Sequence, residues 1–105
     1  MTWSEYMKET CGYETKTTFY DDFSIADRCG ISEVKDTFKR IFEESKINTV
    51  HATELAMVLN HKIWRWCNQN RELANVYHDL YEEVDEWCWD NLKGEDLDYY
   101  YHTTD

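Results

Sequence analysis

Twenty-two residues, Glu72 to Lys93, constrain this chain more than any other stretch of its sequence. At 100° per residue, Leu73, Ala74, Tyr77, Leu80, Tyr81, Val84, Trp87, Cys88 and Leu92 fall on one side. Glu72, Asp79, Glu82, Glu83, Glu86 and Asp90 gather on the other. No proline or glycine interrupts the run; Asn70 is placed to cap its start and Gly94 to end it. The pattern predicts an amphipathic helix with an acidic back.

A partner for the apolar side lies just upstream. From about Thr49 to Asn68, Ala52, Leu55, Ala56, Leu59, Ile63 and Trp66 recur at helical spacing, while Val50, Met57 and Trp64 lie opposite them. A helix apolar on two sides is either sandwiched within a fold or used at an interface. The link Asn68–Arg71 is too short for anything but an antiparallel pairing of the helices 49–68 and 72–93.

Earlier segments read as shorter helices. Thr2 and Glu5 have capping-box spacing for a helix over 2–11, with Trp3, Tyr6 and Met7 on one side and Gly12 at its end. Phe19, Phe23, Ala26 and Cys29 align a second helix over 18–29, which Gly30 breaks. Val34, Phe38, Ile41 and Phe42 form a stripe over 32–45. Residues 94–105 are read as a short, acidic, Tyr-rich tail. The expectation is an all-α fold, a single helical bundle of four to five helices built on the central antiparallel pair. The chain has no proline and only three glycines, which suits helices better than a turn-rich sheet protein.

Charge is unevenly spread. The formal net charge is −11, and the stretch from Asp79 onward holds ten acids against one base, Lys93. A surface of that sign disfavours direct binding to a nucleic-acid backbone and favours basic protein partners. The polar stretch Met1–Cys11 has no apolar run of the kind a secretory signal needs, and no segment approaches a membrane-spanning length. A soluble intracellular protein without membrane contact is expected.

No catalytic or metal-binding signature emerges. Cys11, Cys29, Cys67 and Cys88 stand far apart with no CxxC, so neither a zinc site nor any other cofactor is expected, and reduced structural thiols fit best. His51, His61, His78 and His102 lack nucleophile or ligand partners at any recognised spacing. An enzyme is therefore not expected. Ser24–Ser32 resembles the front half of a bacterial helix-turn-helix. Its continuation departs from that pattern, with Asp36 and Lys39 where apolar residues belong and Val34 and Phe38 where DNA would lie. Lys35, Lys39 and Arg40 are the cations such a regulator would use.

Two tryptophan pairs, Trp64 with Trp66 and Trp87 with Trp89, are spaced two residues apart. Two residues turn a helix by about 200°, so one member of each pair must leave the core. Trp66 and Trp87 take core positions, which leaves Trp89 beside the acidic face and Trp64 with Met57 as candidates for self-association.

The segments Met1–Thr10 and Thr18–Asp27, with the closing Tyr101–Asp105, resemble small acidic proteins of mobile elements and prophages in gut Firmicutes. That resemblance implies a setting, a bacterial host cytoplasm, and no transferable activity. Accessory proteins of this kind, anti-CRISPR proteins among them, bind and inhibit host nucleic-acid enzymes. The expected function is a non-enzymatic binder presenting Asp79, Glu82, Glu83, Glu86 and Asp90, with Trp89 as anchor, to a basic surface. A helix-turn-helix regulator and a homodimer joined through Met57 and Trp64 are the alternatives.

Overall fold

A computed structural model describes residues 2–104. It contains six helices and, among the described residues, no strand. They are α1 (Trp3–Cys11), α2 (Phe19–Cys29), α3 (Ile31–Phe38), α4 (Thr49–Trp66), α5 (Arg71–Asn91) and α6 (Glu95–Thr104). The Cα radius of gyration, 13.2 Å, is that of a globular chain of this length, for which about 13 Å is expected.

Local chemistry sets most of the helix ends. The Thr2 hydroxyl accepts from the Glu5 amide at 3.2 Å and opens α1. Gly12 closes it with φ +64°, a left-handed conformation that lets its amide reach the Lys8 carbonyl at 3.1 Å. The Asn48 carboxamide accepts from His51 N at 2.8 Å to cap α4, and Asn70 accepts from Leu73 N at 3.1 Å to cap α5. Thr2, Asn48 and Asn70 each satisfy an amide, and Gly12 a carbonyl, that the helix itself leaves without a partner.

Three sequence expectations need correction. The bundle has six helices rather than four or five, because the acidic tail folds as α6. Asp and Glu crowd its first turn, where the helix dipole favours them, and Tyr100 is buried in the core. Helix 32–45 does not run through as one α-helix: α3 ends at Phe38 and continues as a π-helical turn, Lys39–Glu43. Gly94 does not end α5 directly; Leu92 caps it in an extended conformation, and Gly94 (φ +59°) lies in the turn into α6.

Helix α4 is central. Its contact with α5 is the most extensive in the fold, and α2 and α6 also pack on it. Ala52, Leu55, Ala56, Val58 and Leu59 have 0% exposure, and meet Phe23, Val34, Phe38, Tyr77 and Val84 from the other helices. Burying a leucine of this kind contributes about 2 kcal/mol. Val34 and Phe38 are thus core residues, and α3 follows α2 with only Gly30 between them. No helix is long and apolar enough to cross a membrane among the described residues.

Candidate functional site

The capped start of α5 fixes its rotation. Leu73, Tyr77, Leu80, Val84 and Cys88 point inward, and the opposite side must face solvent. Asp79, Glu82, Glu83, Glu86 and Asp90 are all exposed. Along a helix, residues three and four apart lie about 5–6 Å from one another, so these carboxylates form a continuous row.

Little neutralises that row. Glu82 meets His78 Nδ1 at 3.4 Å, and both side chains are more than half exposed. Asp79, Glu83, Glu86 and Asp90 have no lysine or arginine partner among the described residues. Partial burial, then the Glu43 and Glu86 carboxylates, hold the Glu83 carboxyl above the usual carboxylate range. Glu43 comes from the π-helical turn, so the acidic face extends beyond α5. Sequence reading missed that contribution, since nothing local places residue 43 beside residue 83.

Trp89 stands at one end of the row, 49% exposed, with the Tyr101 ring of α6 edge-on at 5.0 Å. Trp87 turns inward and packs edge-on against Phe42 at 5.9 Å. Asp85, although acidic, is not part of the face; it accepts a 2.6 Å hydrogen bond from the Tyr100 hydroxyl and fastens α6 to α5. Burial above all, then Asp85, pushes the Tyr100 phenol far above its ordinary range.

The second candidate surface is separate. Met57 is half-buried and Trp64 is 72% exposed, and both line a cleft of about 310 Å³ together with Trp3, Tyr6 and His61. His61 is more than a surface histidine. Its ring lies 4.9 Å from Trp3, 5.4 Å from Tyr6 and 5.7 Å from Tyr20. Burial, then the Lys62 and Arg65 charges, lower its pKa and favour the neutral imidazole. The structure does not bring Met57 and Trp64 together with the acidic row; they lie on a different helix and line a different cleft.

Two buried charges escaped sequence reading altogether. Lys62, its side chain 1% exposed, reaches Asp27 Oδ2 at 3.0 Å and Ser24 Oγ at 2.8 Å, and lies 4.3 Å from the centre of the Tyr20 ring. The same Asp27 oxygen accepts from Trp66 Nε1 at 3.2 Å and Tyr77 OH at 3.0 Å. Glu54 is 1% exposed and forms no ion pair among the described residues. Its carboxylate instead accepts from the backbone amides of Lys16 (2.9 Å) and Thr17 (3.2 Å), the Thr17 hydroxyl (3.1 Å) and the Tyr13 hydroxyl (3.3 Å). These groups are sealed and bonded, and serve the fold rather than a substrate.

Cys11 and Cys29 are exposed, Cys67 is half-buried and Cys88 is buried; all four are free thiols. Burial, then Asp85, pushes the Cys88 thiol up to about 12. Among the described residues, no group of three His, Cys, Asp or Glu side chains is placed to hold a metal ion. Comparisons with protein-family models, with curated proteins and with solved structures returned no match.

Proposed function

We propose that this protein is a non-enzymatic binder that presents the acidic face of α5 to a basic surface of another protein. One observation carries the reading: the row Asp79, Glu82, Glu83, Glu86 and Asp90 is exposed and has no lysine or arginine partner among the described residues. Partial burial raises the Glu83 carboxyl first, and repulsion from the Glu43 and Glu86 carboxylates adds to it. Such repulsion opposes folding slightly, and a partner bringing lysines or arginines relieves it. Trp89 with Tyr101 supplies an exposed aromatic pair beside the charges, the residue type that anchors interfaces. A row of carboxylates matches a groove built for phosphates. The fitting partner is therefore a nucleic-acid enzyme of a bacterial host, inhibited as anti-CRISPR proteins inhibit theirs, in keeping with the resemblance to mobile-element proteins.

The test is affinity capture from a bacterial lysate with the native chain and with an E82K/E83K/E86K variant whose folding is checked by circular dichroism. The reading expects a basic protein that the native chain retains at low salt, releases at high salt, and that the reversed variant does not bind. A folded variant that captures the same protein equally well refutes the acidic face as the site.

A second reading, self-association through Met57 and Trp64, is favoured by the 72% exposure of a tryptophan at the rim of a cleft. It expects a dimer in light scattering that W64E converts to a monomer. A monomeric native chain ends it.

A further inference from the structure

On a chain with twice as many acids as bases, four basic side chains converge on one open cleft of about 740 Å³. Lys16 comes from the loop before α2, Arg40 from the π-helical turn, Lys46 from the segment before α4, and His51 from the first turn of α4. Two stretches of chain, 15–22 and 40–51, are brought together by folding, which is why the Lys16 contribution is not visible in the local sequence.

The cations are free to act. Arg40 and Lys46 pair with no carboxylate among the described residues. Lys16 has only a 3.8 Å contact with Glu14, between side chains 53% and 85% exposed, which is worth little in water. One carboxylate, Asp22, lines the cleft, and it accepts from the Thr18 hydroxyl at 3.2 Å. Positive charge therefore outnumbers negative here, against the sign of the whole molecule. No residue of α5 lines the cleft, so the acidic face is not one of its walls.

The walls are fixed before any ligand arrives. Glu54 grips the Lys16 and Thr17 amides from the buried side and holds the loop in place. The Ser45 hydroxyl donates to the Ile41 carbonyl and closes the π-helical turn that carries Arg40. Turns of this kind recur at functional sites, because the extra residue re-aims a side chain. Phe19 adds an aromatic ring, edge-on to His51 at 6.1 Å. Small-molecule sites occupy roughly 300–1,000 Å³, and this one falls within that range.

We propose that the cleft between the Lys16 loop, the π-helical turn and the start of α4 binds a small phosphate monoester of nucleotide size. Arg40 grips two phosphate oxygens with its planar fork, Lys16 and Lys46 add point charges, and His51 and Phe19 contact the organic part. The assignment is independent of the acidic face and stands or falls separately from it.

The test titrates the ¹⁵N-labelled full chain with adenosine monophosphate at constant ionic strength and follows amide shifts. Adenosine is the control without phosphate. The expected result is saturable shifts confined to the 15–19, 40–46 and 51 amides at about 1 mM ligand, and none with adenosine. An R40Q/K46Q variant, exposed at both positions, should bind at least tenfold more weakly, while K35Q, outside the cleft, should bind as the native chain does. Absence of shifts, shifts spread over lysines elsewhere, or undiminished binding by a folded R40Q/K46Q variant would each overturn the assignment. So would tighter binding of a single-stranded oligonucleotide at the same amides, which would make nucleic acid the ligand.

Discussion

Replacing Asp27 with alanine is the sharpest test of how this bundle tolerates a charge in its centre. One oxygen, Asp27 Oδ2, accepts from Lys62 Nζ at 3.0 Å, Tyr77 OH at 3.0 Å and Trp66 Nε1 at 3.2 Å. The substitution removes all three bonds, but Lys62 dominates the outcome. Its ammonium is 1% exposed and would keep only Ser24 Oγ and the Tyr20 ring. Burial already drags the Lys62 pKa down, while the hydrogen bond and charge of Asp27 push it back up. Without Asp27 the lysine must lose its proton or draw in water. Removing one partner of a buried pair costs about 3–5 kcal/mol, a large share of the roughly 5–15 kcal/mol that holds a domain folded. Urea unfolding followed by tryptophan fluorescence measures the loss, and Trp66 reports directly on the bond it gives up. The double variant D27A/K62M should recover about 2 kcal/mol or more relative to the sum of the single changes, because the stranded charge is gone. If D27A unfolds within about 1 kcal/mol of the native chain, or the two changes simply add, the buried pair does not act as described.

Alkaline pH should unfold the protein steeply. Burial raises the Tyr77 and Tyr100 phenols above their ordinary 10.0, so the stability they carry is intact below pH 10 and is lost as pH rises beyond it. Each contributes a slope of about 1.4 kcal/mol per pH unit. Lys62, lowered from 10.5, works in the opposite direction only below that value, so urea midpoints should fall fastest above pH 10.5. E54A should cost about 3 kcal/mol by leaving the Lys16 and Thr17 amides without an acceptor, and hydrogen exchange at those two amides should accelerate before any other. With a thiol reagent under native conditions, Cys11 and Cys29 should react promptly, while Cys88, buried and raised to about 12, should react only on unfolding. Prompt labelling of Cys88 would mean the α5–α6 contact opens readily.

The starts of α1 and α5 and the ends of α1 and α2 were legible because caps act locally. Asn70, Thr2, Gly12 and Gly30 stand in the structure where their chemistry places them. The inward side of α5 was legible for a similar reason, since Leu73, Tyr77, Leu80, Val84 and Cys88 repeat at 3.6 residues. Helix α6 was not. Its stripe is weak, and what orders it is a contact made 15 residues away, Tyr100 on Asp85. Glu54 and Lys62 were illegible on principle: a periodicity reading assigns charged residues to water, and only partners 35 to 41 residues away make their burial tolerable. The Lys16, Arg40, Lys46 and His51 cluster was hidden in part for the same reason, since Lys16 joins the 40–51 stretch only through folding.

Those two buried groups also take charges out of the surface. Lys62 is one of only eleven bases, and in the core it is lost to the surface, as is the Asp27 carboxylate it neutralises. Glu54 is withdrawn in the same way and spent on backbone amides. Among the described residues, Asp79, Glu83, Glu86 and Asp90 have no lysine or arginine partner, and Arg40 and Lys46 have no carboxylate partner. A single molecule so arranged carries two surfaces of opposite sign, and salt screens both. At physiological ionic strength the screening length is about 8 Å, so the acidic row acts on a partner in contact and only weakly on an anion in a cleft lined by other helices. Lowering the salt should strengthen capture of a basic partner by α5. It should also strengthen entry of a phosphate into the Arg40 cleft, because Lys16, Arg40 and Lys46 meet the anion at close range while the net charge of −11 is spread over the whole molecule. Competition distinguishes the two surfaces without any substitution: adenosine monophosphate that fills the cleft should leave capture by α5 unchanged, and loss of capture on adding it would mean that a single surface is at work.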